Sequence, residues 1–99
     1  MKLSDYVAKF LANSGIKHVF GLTGGANLHL FDSLYRTKGI TSIFTHHEQA
    51  AALAAEAYSR TTNNLGAAIV TTGPGGTNAI TGVTAAWLDS LPCIFISGQ

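Results

Sequence analysis

Short apolar runs alternate along the chain with segments whose apolar residues recur at helical spacing. The runs predict four strands, at His18–Leu22, Thr41–Thr45, Ala67–Thr72 and Cys93–Ser97. The segments between them predict four helices, at Ser4–Asn13, Asn27–Tyr35, Glu48–Arg60 and from Thr77 or Asn78 to Asp89. This alternation predicts an α/β fold with three layers, in which helices flank a parallel β-sheet on both faces.

The first two helices have recognisable boundaries and apolar faces. Ser4 is a candidate N-cap of the first helix, and Gly15 is a candidate stop signal after it. The apolar residues expected on the inner faces of these two helices are Leu3, Val7, Phe10, Leu11, Leu28, Phe31, Leu34 and Tyr35.

The third and fourth helices carry very few charges. The third has only Glu48, Glu56 and Arg60, and the fourth has none before Asp89. A helix without a polar face is buried on all sides. Because only one side of each helix can face the sheet, we expect the other side to pack on another domain or on a second copy of the subunit.

Composition narrows the class of protein. The 99 residues suffice for one small domain, and only 11% are charged, against about a quarter in average soluble domains. The net charge of +1 gives no reason to expect nucleic acid or an anionic membrane as a partner. The single Cys93 lies in an apolar run, which predicts a buried thiol in a reducing compartment. No targeting signal is visible, so we expect a cytoplasmic protein.

The long uncharged stretch Thr61–Leu88 is interrupted by Gly73–Gly76, so it predicts a buried strand, a turn and a buried helix rather than a membrane span. The chain stops directly after its fourth strand, at Gly98–Gln99, which leads us to expect the N-terminal piece of a longer protein.

Two strand-to-helix turns carry candidate chemistry. Glu48 follows the second strand and opens a helix, a position that points into the crevice where open α/β sheets bind ligands. The same acid also suits a helix N-terminus on electrostatic grounds, where it contributes about 0.5 kcal/mol. The glycine-rich turn Gly73–Asn78 brings backbone close to a ligand, or forms a tight turn capped by Thr77.

Motifs for nucleotides and metals are incomplete. The turn at Gly73 lacks the sixth-position glycine or alanine of a dinucleotide fingerprint and the lysine of a P-loop. His46 and His47 lack the second histidine that a zinc-protease helix requires, so no metal site is predicted. His47 remains a candidate for influencing Glu48 or contacting substrate.

The order of motifs resembles one enzyme family over essentially the whole chain. The motifs are Val19–Gly25, His47–Ala51, Ala54–Arg60, Thr72–Asn78, Trp87–Pro92 and Ile96–Gln99. They resemble the N-terminal pyrimidine-binding (PYR) domain of thiamine-diphosphate-dependent enzymes, in the acetolactate (acetohydroxyacid) synthase branch. The resemblance implies an incomplete three-layer domain, a 2-keto acid substrate and an active site formed between two subunits.

The resemblance also implies roles for individual residues. Glu48 matches the glutamate that hydrogen-bonds the pyrimidine nitrogen N1′ and favours the imino tautomer, which removes the reactive C2 proton. Pro74 and Asn78 match loop residues around the pyrimidine, and Gly25 matches a glycine whose backbone borders the reacting centre. Gln99 matches a strand-end glutamine near the active site.

The family binds Mg²⁺ and the diphosphate through a Gly-Asp-Gly…Asn motif in a separate C-terminal domain. This chain has no such motif, so we expect it to be inactive alone, and FAD in the parent protein stays an open question.

Thr23 and the pair Gly21–Leu22 differ from the residues usual in acetolactate synthases, which favours a different substrate. The alternatives are a non-catalytic PYR-type dimerisation module and, less favoured, a generic nucleotide-binding domain.

Overall fold

The computed structural model describes residues 1–99 and contains four strands and five helices. The strands are β1 (His18–Gly21), β2 (Thr41–Phe44), β3 (Gly66–Val70) and β4 (Cys93–Ser97). The helices are α1 (Leu3–Asn13), α2 (Leu28–Tyr35), α3 (Glu48–Thr62), α4 (Pro74–Asn78) and α5 (Ile80–Leu88).

The four strands form one parallel sheet in the order β2-β1-β3-β4. The chain moves to one side of β1 to form β2 and then crosses to the other side to form β3. Because parallel crossovers are right-handed, this reversal places α2 on one face of the sheet and α3 on the other. The predicted α/β fold with a flanked parallel sheet is therefore confirmed.

The core has one part on each face of the sheet. The larger part joins α1 and α2 to the sheet, and its buried residues include Leu11, Val19, Leu34 and Ile69. The smaller part, on the α3 face, consists of Ala52, Val70 and Ala79 with Phe95 beside them. All five residues of β3 are buried, as expected for a strand covered by helices on both faces.

Helices α3 and α5 pack with almost no side chain between them. A Cβ atom added to Gly82 would overlap the Cβ of Ala52 and lie 2.6 Å from the Ala52 carbonyl carbon. At the far end of this helix pair, Arg60 of α3 forms ion pairs with both Glu56 and Asp89. Hydrogen bonds to these two carboxylates raise the pKa of Arg60 above its usual value, and the hydrogen bond to Asp89 is the largest contribution.

The prediction of a single fourth helix starting at Thr77 or Asn78 was wrong. Helix α4 begins at Pro74, and a separate helix, α5, follows it after Ala79. Proline suits a first helical position because its missing N–H would have no partner there. Thr77 lies inside α4, where its hydroxyl donates to the carbonyl of Pro74, so it does not cap the helix. No helix has the length and apolar character needed to cross a membrane.

The inner faces of α1 and α2 also differ from the prediction. Ser4 is not an N-cap, since it lies inside α1, is buried and accepts a hydrogen bond of 2.9 Å from Ser33. Leu3 and Tyr35 are 79% and 88% exposed, and Phe10 and Leu28 are also exposed. Of the predicted inner-face residues, Leu11, Phe31 and Leu34 are buried in the core as predicted, and Val7 packs against them.

Cys93 begins β4 and is only partly buried, although the sequence predicted a buried thiol. Its Sγ lies 3.6 Å from the carbonyl oxygen of Ala55 and donates to it. Burial raises the pKa of the Cys93 thiol, which further favours the protonated form that an ordinary thiol already has near neutral pH.

The contact at Gly82 gives a test of the packing between α3 and α5. Gly82→Ala should lower the free energy of unfolding by about 1–3 kcal/mol because the new methyl group overlaps Ala52. Helix propensity alone would instead raise stability by about 1 kcal/mol. Urea denaturation measures the difference, with Thr81→Ala at an exposed position of the same helix as the control. An increase in stability for Gly82→Ala would contradict the described packing.

Candidate functional site

The candidate site lies at the carboxyl ends of the strands, where the order of the sheet reverses between β1 and β3. Open α/β sheets bind ligands at this kind of switch point, because the two neighbouring loops turn in opposite directions and leave a crevice. The loop after β1 contains Gly24 and Gly25, and the loop after β3 contains Thr71 and Gly73. Glu48, the first residue of α3, follows the neighbouring strand β2.

Glu48 has two carboxylate oxygens in different surroundings. Its Oε1 accepts a hydrogen bond of 3.1 Å from Nδ2 of Asn78. Its Oε2 has no hydrogen-bond partner within the chain and faces Gly75, where an added Cβ would lie 3.6 Å away. Glu48 is partly buried, so its free oxygen is accessible to a ligand in the crevice.

His47 holds the start of α3. Its Nδ1 accepts a hydrogen bond of 3.0 Å from the backbone N–H of Gln49, which makes His47 the N-cap of the helix. The hydroxyl of Thr45 donates to the carbonyl of His47 at 2.7 Å. Since Nδ1 is an acceptor here, a neutral His47 carries its proton on Nε2. The imidazole thereby fixes the backbone that carries Glu48.

Asn27 organises the loop after β1. It is 1% exposed, and its Oδ1 accepts from the backbone N–H of Gly24 at 2.9 Å, while its Nδ2 donates to the carbonyl of Leu22 at 3.1 Å. This role of Asn27 was not predicted from the sequence. The available signal was an asparagine three residues after Gly24, in the loop that follows the strand, because its side chain can pair with nearby backbone groups.

Thr71 connects the loop after β1, the start of α4 and the end of β4, and this role was not predicted from the sequence either. Its Oγ1 accepts from the backbone N–H of Ala26 at 3.3 Å, and its carbonyl accepts from the hydroxyl of Ser97 at 3.3 Å. An added Cβ would lie 2.5 Å from the Thr71 Cβ at Gly24 and 2.8 Å from its Cγ2 at Gly75. Glycine at both positions is what lets the loops pack against this side chain.

The other predicted site residues surround this centre. Gly25 is exposed, and an added Cβ there would meet nothing within 4 Å. Pro74 is exposed at the first position of α4, after Gly73, whose φ of 65° favours glycine. Gln99 follows the buried Gly98, which packs against the backbone of Ala26. Among the predicted residues, a side-chain hydrogen bond joins Asn78 to Glu48, and Gln99 makes no hydrogen bond to either.

No group of three or more His, Cys, Asp or Glu side chains is arranged to hold a metal ion. The groups described above at the crevice are one carboxylate, one amide side chain and the exposed backbone of two glycine-containing loops.

Comparison with known families gives a match over residues 1–99 to the family described as "Thiamine pyrophosphate enzyme, N-terminal TPP binding domain". The chain belongs to this family. The resemblance inferred from the ordered motifs is thus confirmed.

Similar proteins within this family are acetolactate synthases. The chain is 47% identical over 96 residues to the acetolactate synthase large subunit of Buchnera aphidicola subsp. Schizaphis graminum. It is 44% identical over 96 residues to the isozyme 3 large subunit of Escherichia coli, and 42% identical over 99 residues to a probable large subunit of Methanocaldococcus jannaschii. These matches cover 97%, 97% and 100% of the chain but only 17% of each relative.

The buried Asn27 gives a test of how this family member builds its crevice. Asn27→Ala leaves the N–H of Gly24 and the carbonyl of Leu22 without their side-chain partners. We expect a loss of about 1–3 kcal/mol in the free energy of unfolding, because unpaired buried polar groups are costly. Asn13→Ala, at an exposed position, should stay within about 0.5 kcal/mol. Equal stabilities of the two variants in urea denaturation would show that Asn27 does not hold the loop.

Proposed function

We propose that this chain binds the aminopyrimidine ring of thiamine diphosphate and activates it through Glu48. The chain would act as the N-terminal part of a 2-keto acid carboligase or decarboxylase similar to the acetolactate synthase large subunit. The main support for the proposal is Oε2 of Glu48, which has no hydrogen-bond partner in the chain. This oxygen lies at the switch-point crevice beside Gly75, which has no side chain.

The residues present fit an aminopyrimidine ring. A ring nitrogen that accepts or shares a proton needs one carboxyl oxygen, and Glu48 offers Oε2 while its other oxygen is already bound. A flat ring needs space and backbone polar groups around it. The exposed Gly25 and Gly73 supply both, since an added Cβ at either position meets nothing within 4 Å.

When bound, thiamine diphosphate supplies a carbon nucleophile that adds to the carbonyl carbon of a 2-keto acid. The contribution of this chain is to hold a proton at Oε2 of Glu48, where it is shared with the ring nitrogen. His47 and the first turn of α3 keep the carboxylate in place, because the imidazole caps the helix that carries Glu48.

The remaining site residues take supporting roles in this proposal. Gly25 and Pro74 border the ring through their loops, and Asn78 lies beside it on α4. His47 and Gln99 are proposed to lie near the substrate. The capping bond occupies Nδ1 of His47, so only its Nε2 edge is available for such a contact.

Mg²⁺ and the diphosphate group are proposed to be bound outside this chain, which spans 17% of the length of its relatives. The proposal that Mg²⁺ and the diphosphate are bound elsewhere is supported by the family resemblance. It is also supported by the crevice, where Glu48 is the one carboxylate described. The single free Cys93 suits a reducing, cytoplasmic setting.

A second copy of the parent subunit is the proposed partner of α5. Ile80, Val83 and Trp87 follow one another at helical spacing and are 55%, 38% and 82% exposed. Large exposed apolar patches usually mark interfaces. The alternative, a PYR-type module that only dimerises, would use the same surface. Its function would not depend on Glu48, whereas the activity of the enzyme would.

The first test of the function is Glu48→Gln in the full-length enzyme. Glutamine keeps the shape of the side chain but cannot exchange a proton with the ring nitrogen, so catalysis should fall by about 10²–10⁴-fold. The measurements are C2 proton exchange of bound thiamine diphosphate and turnover of 2-keto acids. Asp32→Asn, an equivalent change at an exposed residue of α2, is the control. Near wild-type rates for Glu48→Gln would refute the assignment.

The second test concerns assembly. Placing a negative charge at Thr84 or Ala54, in Thr84→Asp or Ala54→Asp, should weaken the dimer of the parent protein and lower its activity together. Burying an unpaired charge is costly, and the proposed cofactor site spans two subunits. Sedimentation velocity measures the dimer, with Lys38→Glu in the exposed turn after α2 as the control. Unchanged dimerisation in both variants would exclude these helices as the interface.

A further inference from the structure

We infer that Asn78 is a positioning residue, which orients the Glu48 carboxylate so that Oε2 rather than Oε1 meets the pyrimidine nitrogen. The inference rests on the proposed function and assigns Asn78 a task that the sequence resemblance does not give it. The resemblance makes Asn78 one of the loop residues around the ring. In the present inference, the side chain of Asn78 acts on Glu48.

The hydrogen bond makes the two oxygens of Glu48 inequivalent. Nδ2 of Asn78 donates to Oε1 at 3.1 Å, whereas Oε2 faces Gly75 and has no partner. Gly75 is buried, and an added Cβ would lie 3.6 Å from Oε2. The amide therefore holds one oxygen while the missing side chain of Gly75 keeps space open beside the other.

Packing next to each partner holds the hydrogen bond in place. Ala52 lies one helical turn after Glu48 on the same face of α3, and Ala79 directly follows Asn78. Ala52 and Ala79 belong to the same buried cluster, together with Val70 of β3. The backbones that carry the amide and the carboxylate are thus fixed to one another, although the two residues are 30 positions apart in the sequence.

The break between α4 and α5 is part of this arrangement. Asn78 is the last residue of α4, and α5 begins only after Ala79. The short helix, which starts at Pro74, delivers Asn78 towards Glu48, while α5 packs separately along α3 through Gly82. The end of α4 at Asn78, which was not predicted from the sequence, therefore brings the amide to the carboxylate.

Orienting the carboxylate in advance has a direct consequence for the reaction. A glutamate side chain has three rotatable bonds, so a free Glu48 would have to be ordered each time it meets the ring. A misplacement of about 1 Å can reduce a rate by about 100-fold. The role assigned to Asn78 therefore predicts a loss of proton-transfer rate when the amide is removed, and predicts that this loss depends on Glu48.

The experiment is a double-mutant cycle in the full-length enzyme in the presence of Mg²⁺, with saturating thiamine diphosphate in the exchange assay only. The variants are Asn78→Ala, Asn78→Asp, Glu48→Gln and Asn78→Ala combined with Glu48→Gln. Asn78→Asp keeps the shape but replaces the donor with a carboxylate that repels Oε1 of Glu48, and it provides a second variant if Asn78→Ala fails to fold. Asn64→Ala, an exposed asparagine after α3, is the control. The readouts are the C2 proton-exchange rate by NMR and the dissociation constant of the cofactor by calorimetry.

We expect Asn78→Ala and Asn78→Asp to slow exchange by about 10- to 100-fold. In the Glu48→Gln background, Asn78→Ala should change the exchange rate and the dissociation constant by no more than about twofold, because residues that act through one another are not additive.

Two results would overturn the inference alone. One is an equal loss from Asn78→Ala in both backgrounds, which would mean that Asn78 acts independently of Glu48. The other is wild-type exchange in both single variants of Asn78. Wild-type exchange in Glu48→Gln would overturn the proposed function as well, so the two failures are distinguishable.

Discussion

The candidate site depends on how closely backbone segments approach the side chain of Thr71 at the end of β3. Gly24 and Gly75 both lie where a Cβ atom would collide with this threonine. Glycine at both positions lets the loop after β1 and the start of α4 pack against the same residue. That packing brings the turn of α4 to the beginning of α3, and so it brings Asn78 within hydrogen-bonding distance of Glu48.

The same use of small residues explains the helix layer behind the site. Ala52, Gly82 and Ala86 are buried where α3 and α5 meet, so the two helices are in near backbone contact. This leaves the large apolar residues of α5 on its outer surface, where Trp87 is 82% exposed. The close packing of α3 against α5 and the exposed apolar surface of α5 thus have the same cause. Small residues lie at the contact between the two helices, and large residues lie outside it.

The sequence predicted the fold and the position of Glu48 because both follow from local patterns. Strand and helix periods specify the parallel sheet, and an acid directly after a strand lies at its carboxyl end. Contacts between distant segments were not predictable in this way. Ala79, between α4 and α5, shares a buried cluster with Ala52, and the buried Ser4 accepts a hydrogen bond from Ser33. Neither partner is visible in the local pattern.

The central claim is that Glu48 meets the pyrimidine ring of thiamine diphosphate through Oε2, while Asn78 holds Oε1. A crystal structure of the full-length protein with Mg²⁺ and thiamine diphosphate tests this claim most directly. The account predicts that Oε2 lies about 2.6–3.2 Å from the ring nitrogen, with the hydrogen bond between Asn78 and Oε1 retained. A pyrimidine ring bound away from Glu48 would contradict the account.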